Sequence, residues 1–216
     1  MLGNPWLRWR RYSRRLLGYL RPPIRVAADL DWLSHAWERR FPDFPPIGYR
    51  IRGGDRWVRF HSLPGSKRYP ESEAEYAELL RRHHAVLETL AERGSPLLAF
   101  TFSWSPTSRV RDRERSLKRV APGGKLWRSF DVEPNDDTWM SSVFVSEVVN
   151  TPESLDGLLR LVADDGTADV ILTTSDLEWL YHPYDGGADV IAESVDRRAA
   201  LKRQFADWSA PYESGR

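Results

Sequence analysis

Cysteine is absent from all 216 residues. That excludes a disulfide framework and any thiolate-bound metal, and it suits a reducing compartment, so the cytoplasm is the expected location. No run approaches the roughly 18 apolar residues of a membrane-spanning helix. The N-terminal stretch has no uninterrupted apolar core of a secretory signal either, because Arg14 and Arg15 cut it. The signatures of many sites are missing too. There is no GxGxxG or Walker loop, no HExxH, no GxSxG around Ser62, and no calcium-loop order of ligands in "DVEPNDD". No cofactor and no metal are expected.

One absence is local. Residues 1–25 carry seven arginines and no acid, against a net charge of +1 for the whole chain. Asn4 can cap a helix there, Pro5 suits its first turn, and Pro22 and Pro23 end it. We read a basic N-terminal helical arm over residues 1–25, followed by a single α+β domain over residues 26–216. Such an arm on a mildly acidic body can meet an acidic partner, a nucleic acid or an anionic membrane, or else fold back on its own body.

Ten tryptophans are present, enough for a large aromatic core or a contact surface. Leu30, Leu33 and Trp37 recur at helical spacing in residues 28–40. "GYRIR" and "RWVRFHS" read as a hairpin around Gly53, Gly54 and Asp55. Ser72 and Glu75 make a capping box that opens a helix with Tyr76, Leu79, Leu80, Leu87 and Leu90 on its apolar side, stopped by Gly94. Leu98, Phe100, Phe102 and Trp104 share one face of a strand. Residues 106–119 are charge-dense, an exposed helix or a loop. "KLWRSF" and "TWMSSVFVSEVV" are strands. Thr151 and Pro152 open a helix to about Ala163. "ADVILTT", "EWLYHP" and "ADVIAE" are strands, and Ser194 caps a last helix with Leu201, Phe205 and Trp208. Residues 56–104 and 139–174 are strand–helix–strand units, whose crossovers should be right-handed if their strands pair in parallel. The expected architecture is a mixed, largely antiparallel sheet with helices packed on it.

Two clusters concentrate chemistry. "RFHSLPGSKRYP" places Arg59, His61, Ser62, Lys67, Arg68 and Tyr69 between a strand end and a capped helix N-terminus, where free amides and the helix dipole make an anion cradle plausible. The plainer reading is a half-exposed strand ending in a Pro-Gly turn. "YHPYDGG" places His182, Tyr184 and Asp185 at a tight hairpin tip, which can equally be a turn and nothing more. His83 and His84 join a helix stripe, as satisfied and partly buried histidines do.

These two blocks, extended as "WVRFHSLPGSKRYPESEAEYAELLRRHHAVL" and "WLYHPYDGGADVI…LKRQFADWSAP", resemble a bacterial family known as domain of unknown function 3885. The resemblance covers roughly residues 33–93 and 176–211. It brings no activity and no catalytic residue. It directs attention to Arg59, Phe60, His61, Ser62, Lys67, Arg68 and Tyr69, and to Pro183, Tyr184, Asp185, Gly186 and Gly187.

The expected function is a non-enzymatic binding module, of the immunity or accessory type, whose partner is another protein. The alternative is an enzyme or binder acting on a phosphate-bearing ligand, with His61 as acid/base and Lys67 and Arg68 holding the anion. A third reading is nucleic-acid binding through the arginine arm. The two clusters should lie together at one edge of the sheet, with Asp185 beside His61 if the site is catalytic, or beside Lys67 or Arg68 if the pairing only closes the edge.

Overall fold

The computed structural model describes residues 24–42, 44–107, 109–131 and 139–209. The basic arm lies outside the described residues except for Ile24 and Arg25. The chain folds into one seven-stranded sheet with strand order β1-β7-β6-β5-β2-β4-β3. The strands are β1 (Trp57–His61), β2 (Pro96–Ser105), β3 (Lys125–Asp131), β4 (Met140–Val149), β5 (Ile171–Thr173), β6 (Leu180–Tyr184) and β7 (Gly187–Ile191). The helices are α1 (Asp31–Arg40), α2 (Glu73–Leu90), α3 (Arg115–Val120), α4 (Pro152–Ala163) and α5 (Val195–Gln204).

The α+β architecture is as the sequence implies, with each pairing of these strands antiparallel. The strand–helix–strand units do link strands that point the same way, β1 to β2 and β4 to β5. Other strands stand between the members of each pair. The first crossover skips three strand positions and the second skips one, and the later β5–β6–β7 meander fills the gap left between β1 and β2.

Alternation along the strands divides the core into two layers. On one face Val58, Phe60, Ala188, Val190 and Tyr181 pack with Leu79 and Leu87 of α2, Leu155 and Leu159 of α4 and Leu201 of α5. On the other face Trp57, Leu98, Phe100, Phe102, Leu180 and Ile191 pack with Leu33 and Trp37 of α1 and with Ile47 and Ile51. Ser72 accepts a bond from the Glu75 amide, as the capping box requires, and Ser194 accepts one from Arg197.

Two local expectations change. "GYRIR" is not a strand: Gly48–Arg50 is a 3-10 turn. Gly53 and Gly54 have the positive φ that a tight turn uses, but Ile47 and Ile51 are drawn into the α1-side core, and β1 takes β7 as its partner instead. In the charge-dense segment only Arg115–Val120 is helical among the described residues. Arg113 before it is buried, bonded to Thr101, Ser146 and the Ala121 carbonyl, which ties the segment down as irregular chain.

Candidate functional site

The β1–β7 ladder sets Arg59 opposite Asp189 and His61 opposite Gly187. This register brings the two sequence clusters to the same edge of the sheet. There the charged side chains find partners inside the protein. Asp189, fully buried, takes both ends of the Arg59 guanidinium at 2.7 and 2.9 Å, the Trp57 indole N–H at 3.0 Å and Arg52 at 3.2 Å. Arg59 also lies over the rings of Trp57 and Tyr184, at 5.3 and 5.2 Å. The Asp189 hydrogen bonds hold the Arg59 pKa above its ordinary value.

Lys67 does not stand ready for an anion. Its ammonium bonds Glu71 at 3.0 Å and Glu75 at 2.7 Å, and those carboxylates sit at the N-terminus of α2, where the helix dipole favours them. Arg68 bonds Asp185 at 2.7 Å, and the Tyr69 hydroxyl donates to the same carboxylate oxygen at 2.9 Å. Asp185 therefore closes the sheet edge through Arg68 and Tyr69, and the contacts of His61 lie elsewhere. The half-buried His61 ring has its pKa lowered, chiefly by burial and then by Arg59 and Arg82, with a bond to the Gly186 backbone opposing.

Ser62 turns to the α2 face. Its hydroxyl lies 3.0 Å from Nε2 of His83, whose Nδ1 lies 2.5 Å from the Tyr181 hydroxyl. All three residues are buried. Burial, helped by the neighbouring His84, holds the His83 pKa down to about 3, and burial raises that of Tyr181 well above its ordinary value. A serine, a histidine and a hydroxyl in line could in principle serve nucleophilic catalysis. The cavity beside them, bordered by Trp208, measures only about 10 Å³, room for one water at most. The chain of bonds works here as a satisfied buried network.

The open space is on the opposite face. A cleft of about 510 Å³ lies at the end of β6, bordered by the 3-10 turn at Tyr49, by Arg52, by the 165–169 loop after α4, and by His61, Arg68, His182, Tyr184 and Asp185. Four of the sequence-predicted residues, His61, Arg68, Tyr184 and Asp185, thus share one concavity; Arg59, Ser62, Lys67 and Tyr69 do not line it. His182 forms part of its floor. Nδ1 of that ring is 2.8 Å from the Val170 carbonyl, so Nδ1 carries the proton and Nε2 is left as an acceptor. Burial lowers the His182 pKa and so favours this neutral form. Burial also pushes the Tyr184 hydroxyl up to about 12.

Asp169 stands next to this histidine. It adopts a left-handed backbone, φ 60°, and its Oδ1 accepts the Tyr49 amide at 3.2 Å. Burial raises its pKa, opposed by the Tyr49 amide and by the nearby His182 and Arg52. Gly48 makes this arrangement possible: a Cβ there would lie 2.3 Å from the His182 ring and 2.9 Å from the Asp169 Cα. Thr167, on the cleft wall, is 9% exposed, and its hydroxyl has no partner. Among the described residues no group of three His, Asp or Glu is placed to hold a metal ion.

Sequence reasoning passed over Asp189, Asp169, Tyr49 and Thr167. For Asp189 a signal existed. A lone carboxylate in the apolar strand "GADVI" alternates with Ala188 and Val190, so it must face a core layer and demands cationic partners. Asp169 and Tyr49 carry no comparable signal, because a contact 120 residues apart in sequence unites them.

No curated protein and no solved structure matches the chain. One family does, that described as Domain of unknown function (DUF3885), over residues 49–213. The match begins at Tyr49 on the cleft rim and takes in the sheet edge, the buried histidine network and the cleft floor; the chain belongs to this family.

Proposed function

We propose that this chain is a non-enzymatic binding module that engages another protein through the cleft and its rim. The observation that carries the reading is a pair of exposed tyrosines at the cleft: Tyr49 lines it, and Tyr69 stands just outside the lining, bonded to Asp185, which does line it. Tyr49 and Tyr69 are 41% and 46% exposed, and each lies under a guanidinium, Arg50 at 5.6 Å and Arg68 at 5.4 Å. Tyrosine and arginine are the residues most enriched where protein partners bind tightly, since each couples a broad apolar surface to hydrogen-bonding capacity. A concavity of this size, lined by one member of each pair, Tyr49 and Arg68, suits a projecting element of a partner.

The phosphate-ligand reading gains nothing from the same geometry, because Lys67 and Arg68 are already matched by carboxylates. No described helix is long and apolar enough to cross a membrane, and we place the protein in the cytoplasm on its lack of cysteine. The test compares the full chain with a Tyr49→Ala/Tyr69→Ala variant. Partners are captured from lysate, identified, purified and titrated directly against both proteins. The expected result is a partner whose affinity falls at least about tenfold in the variant. Partners that bind both proteins equally would overturn the proposal.

A further inference from the structure

We infer that the cleft receives a cationic side chain, the guanidinium or ammonium of an arginine or lysine on the partner, with Asp169 as its principal counter-charge. This rests on the protein-binding reading above and names the chemistry of what enters.

The inference comes from the carboxylates left over after the internal pairs are assigned. Three of them line the cleft, Asp165, Asp169 and Asp185, against two guanidiniums. Arg68 is matched to Asp185 at 2.7 Å. Arg52 is held at 3.2 Å by Asp189, which lies beneath the wall. Asp169 and Asp165 therefore have no guanidinium bonded to them. The donor placed on Asp169 is the neutral amide of Tyr49, which satisfies one lone pair of one oxygen; Arg52, bonded to Asp189, acts on Asp169 only from a distance. Asp169 is partly buried, so a charge-assisted pair formed there is stronger than one on the open surface.

A second, independent feature points the same way. The hydroxyl of Thr167, nine-tenths buried on the same wall, lacks a hydrogen-bond partner. Beside it the neutral His182 offers Nε2 as an acceptor. The floor thus collects acceptors, from Asp169, His182 and Thr167, where a guanidinium or ammonium brings several donors at once. The rings of Tyr49 and Tyr184 give the methylene stem an apolar wall.

The probe is N-acetyl-arginine-N-methylamide, titrated into the full chain and followed by the amide chemical shifts of Gly48, Tyr49 and Gly186. The control is the citrulline analogue, which keeps the shape and loses the charge. Asp169→Asn is the matching variant: asparagine tolerates the left-handed backbone, and its carbonyl oxygen still accepts the Tyr49 amide. The arginine probe should saturate, with citrulline at least about tenfold weaker and Asp169→Asn weakening the arginine probe by a similar factor. Equal binding of citrulline, an unchanged Asp169→Asn, or no saturable shift would each overturn the inference. A captured partner that is sensitive to the tyrosine pair but indifferent to Asp169→Asn also overturns it while leaving the protein-binding reading in place. A partner indifferent to both changes removes that reading itself.

Discussion

Two buried histidines lie on opposite faces of the β1–β7–β6 end of the sheet, His83 from α2 and His182 from β6, and they are in opposite circumstances. On the α2 face His83 has both ring nitrogens engaged, by Ser62 and Tyr181, and the space beside it holds no more than a water. On the α1 face His182 has its Nδ1 engaged by a backbone carbonyl and borders a cleft of about 510 Å³. Both rings are buried and both are held neutral. The difference lies in completeness. A closed polar network stabilises the fold and leaves nothing to offer a ligand. A floor with spare acceptors, opening on solvent, offers both a place and a direction for binding.

The largest expected effect breaks this contrast from below, because the open face stands on a closed base. Replacing Asp189 by alanine strands Arg52, Arg59 and the Trp57 indole at once. Chemical denaturation should show a loss of about 3–5 kcal/mol, the usual cost of removing one partner from a buried charge cluster. A loss under about 1 kcal/mol would mean that the hub is surplus to stability.

The sealed face should declare itself through pH. His83 is held neutral in the folded protein down to about 3, from an ordinary value of 6.5. Once unfolded, the same ring takes up a proton below 6.5, so the unfolded state binds more protons throughout that window. The contribution of His83 to stability is complete above pH 6.5. It falls by about 1.4 kcal/mol per pH unit as the pH drops towards 3. His83→Leu should flatten the pH dependence of unfolding across this window. At neutral pH it should cost about 1–3 kcal/mol, by leaving Ser62 and Tyr181 without their partner. An unchanged pH slope would show that the ring is reached by solvent in the folded state.

The smallest effect on stability is expected on the open face. Asp169→Asn removes a partly desolvated charge and keeps its backbone geometry, so unfolding free energy at pH 7 should stay level or rise by no more than about 1 kcal/mol. A large destabilisation would convert the cleft floor into another structural network and end the contrast between the faces.

The sequence made the strands and helices legible wherever an element's pattern was local. The capping box at Ser72, the apolar stripe of α2 and the shared face of Leu98, Phe100 and Phe102 are set by neighbours a few residues away, and they appear as read. The misread "GYRIR" segment shows the limit. Its glycines suit a hairpin, but what decides its shape is the burial of Ile47 and Ile51 under α1, a long-range fact. At the site the two motifs do meet at the sheet edge, yet motif membership did not reveal each residue's employment. Lys67 is occupied by Glu71 and Glu75, four and eight positions on, so a sequence that supplies a cation also supplied its neutralisation. Asp169, by contrast, has its site defined by Tyr49 and His182, which only the folded topology brings near.

The pairing of β1 with β7 also has a consequence for how the protein is born. Arg59 and Asp189 are separated by 130 residues. At the usual pace of synthesis, about 5–20 residues per second, a ribosome needs on the order of ten seconds to deliver the second after the first. Throughout that interval the nascent β1 has neither its ladder nor the carboxylate that anchors its guanidinium. Of the helices that share the core layer of Val58 and Phe60, α2 follows directly and is the first on hand to shelter it. The edge that carries the motifs is therefore among the first parts made and among the last completed, and its shape is settled only as β7 arrives.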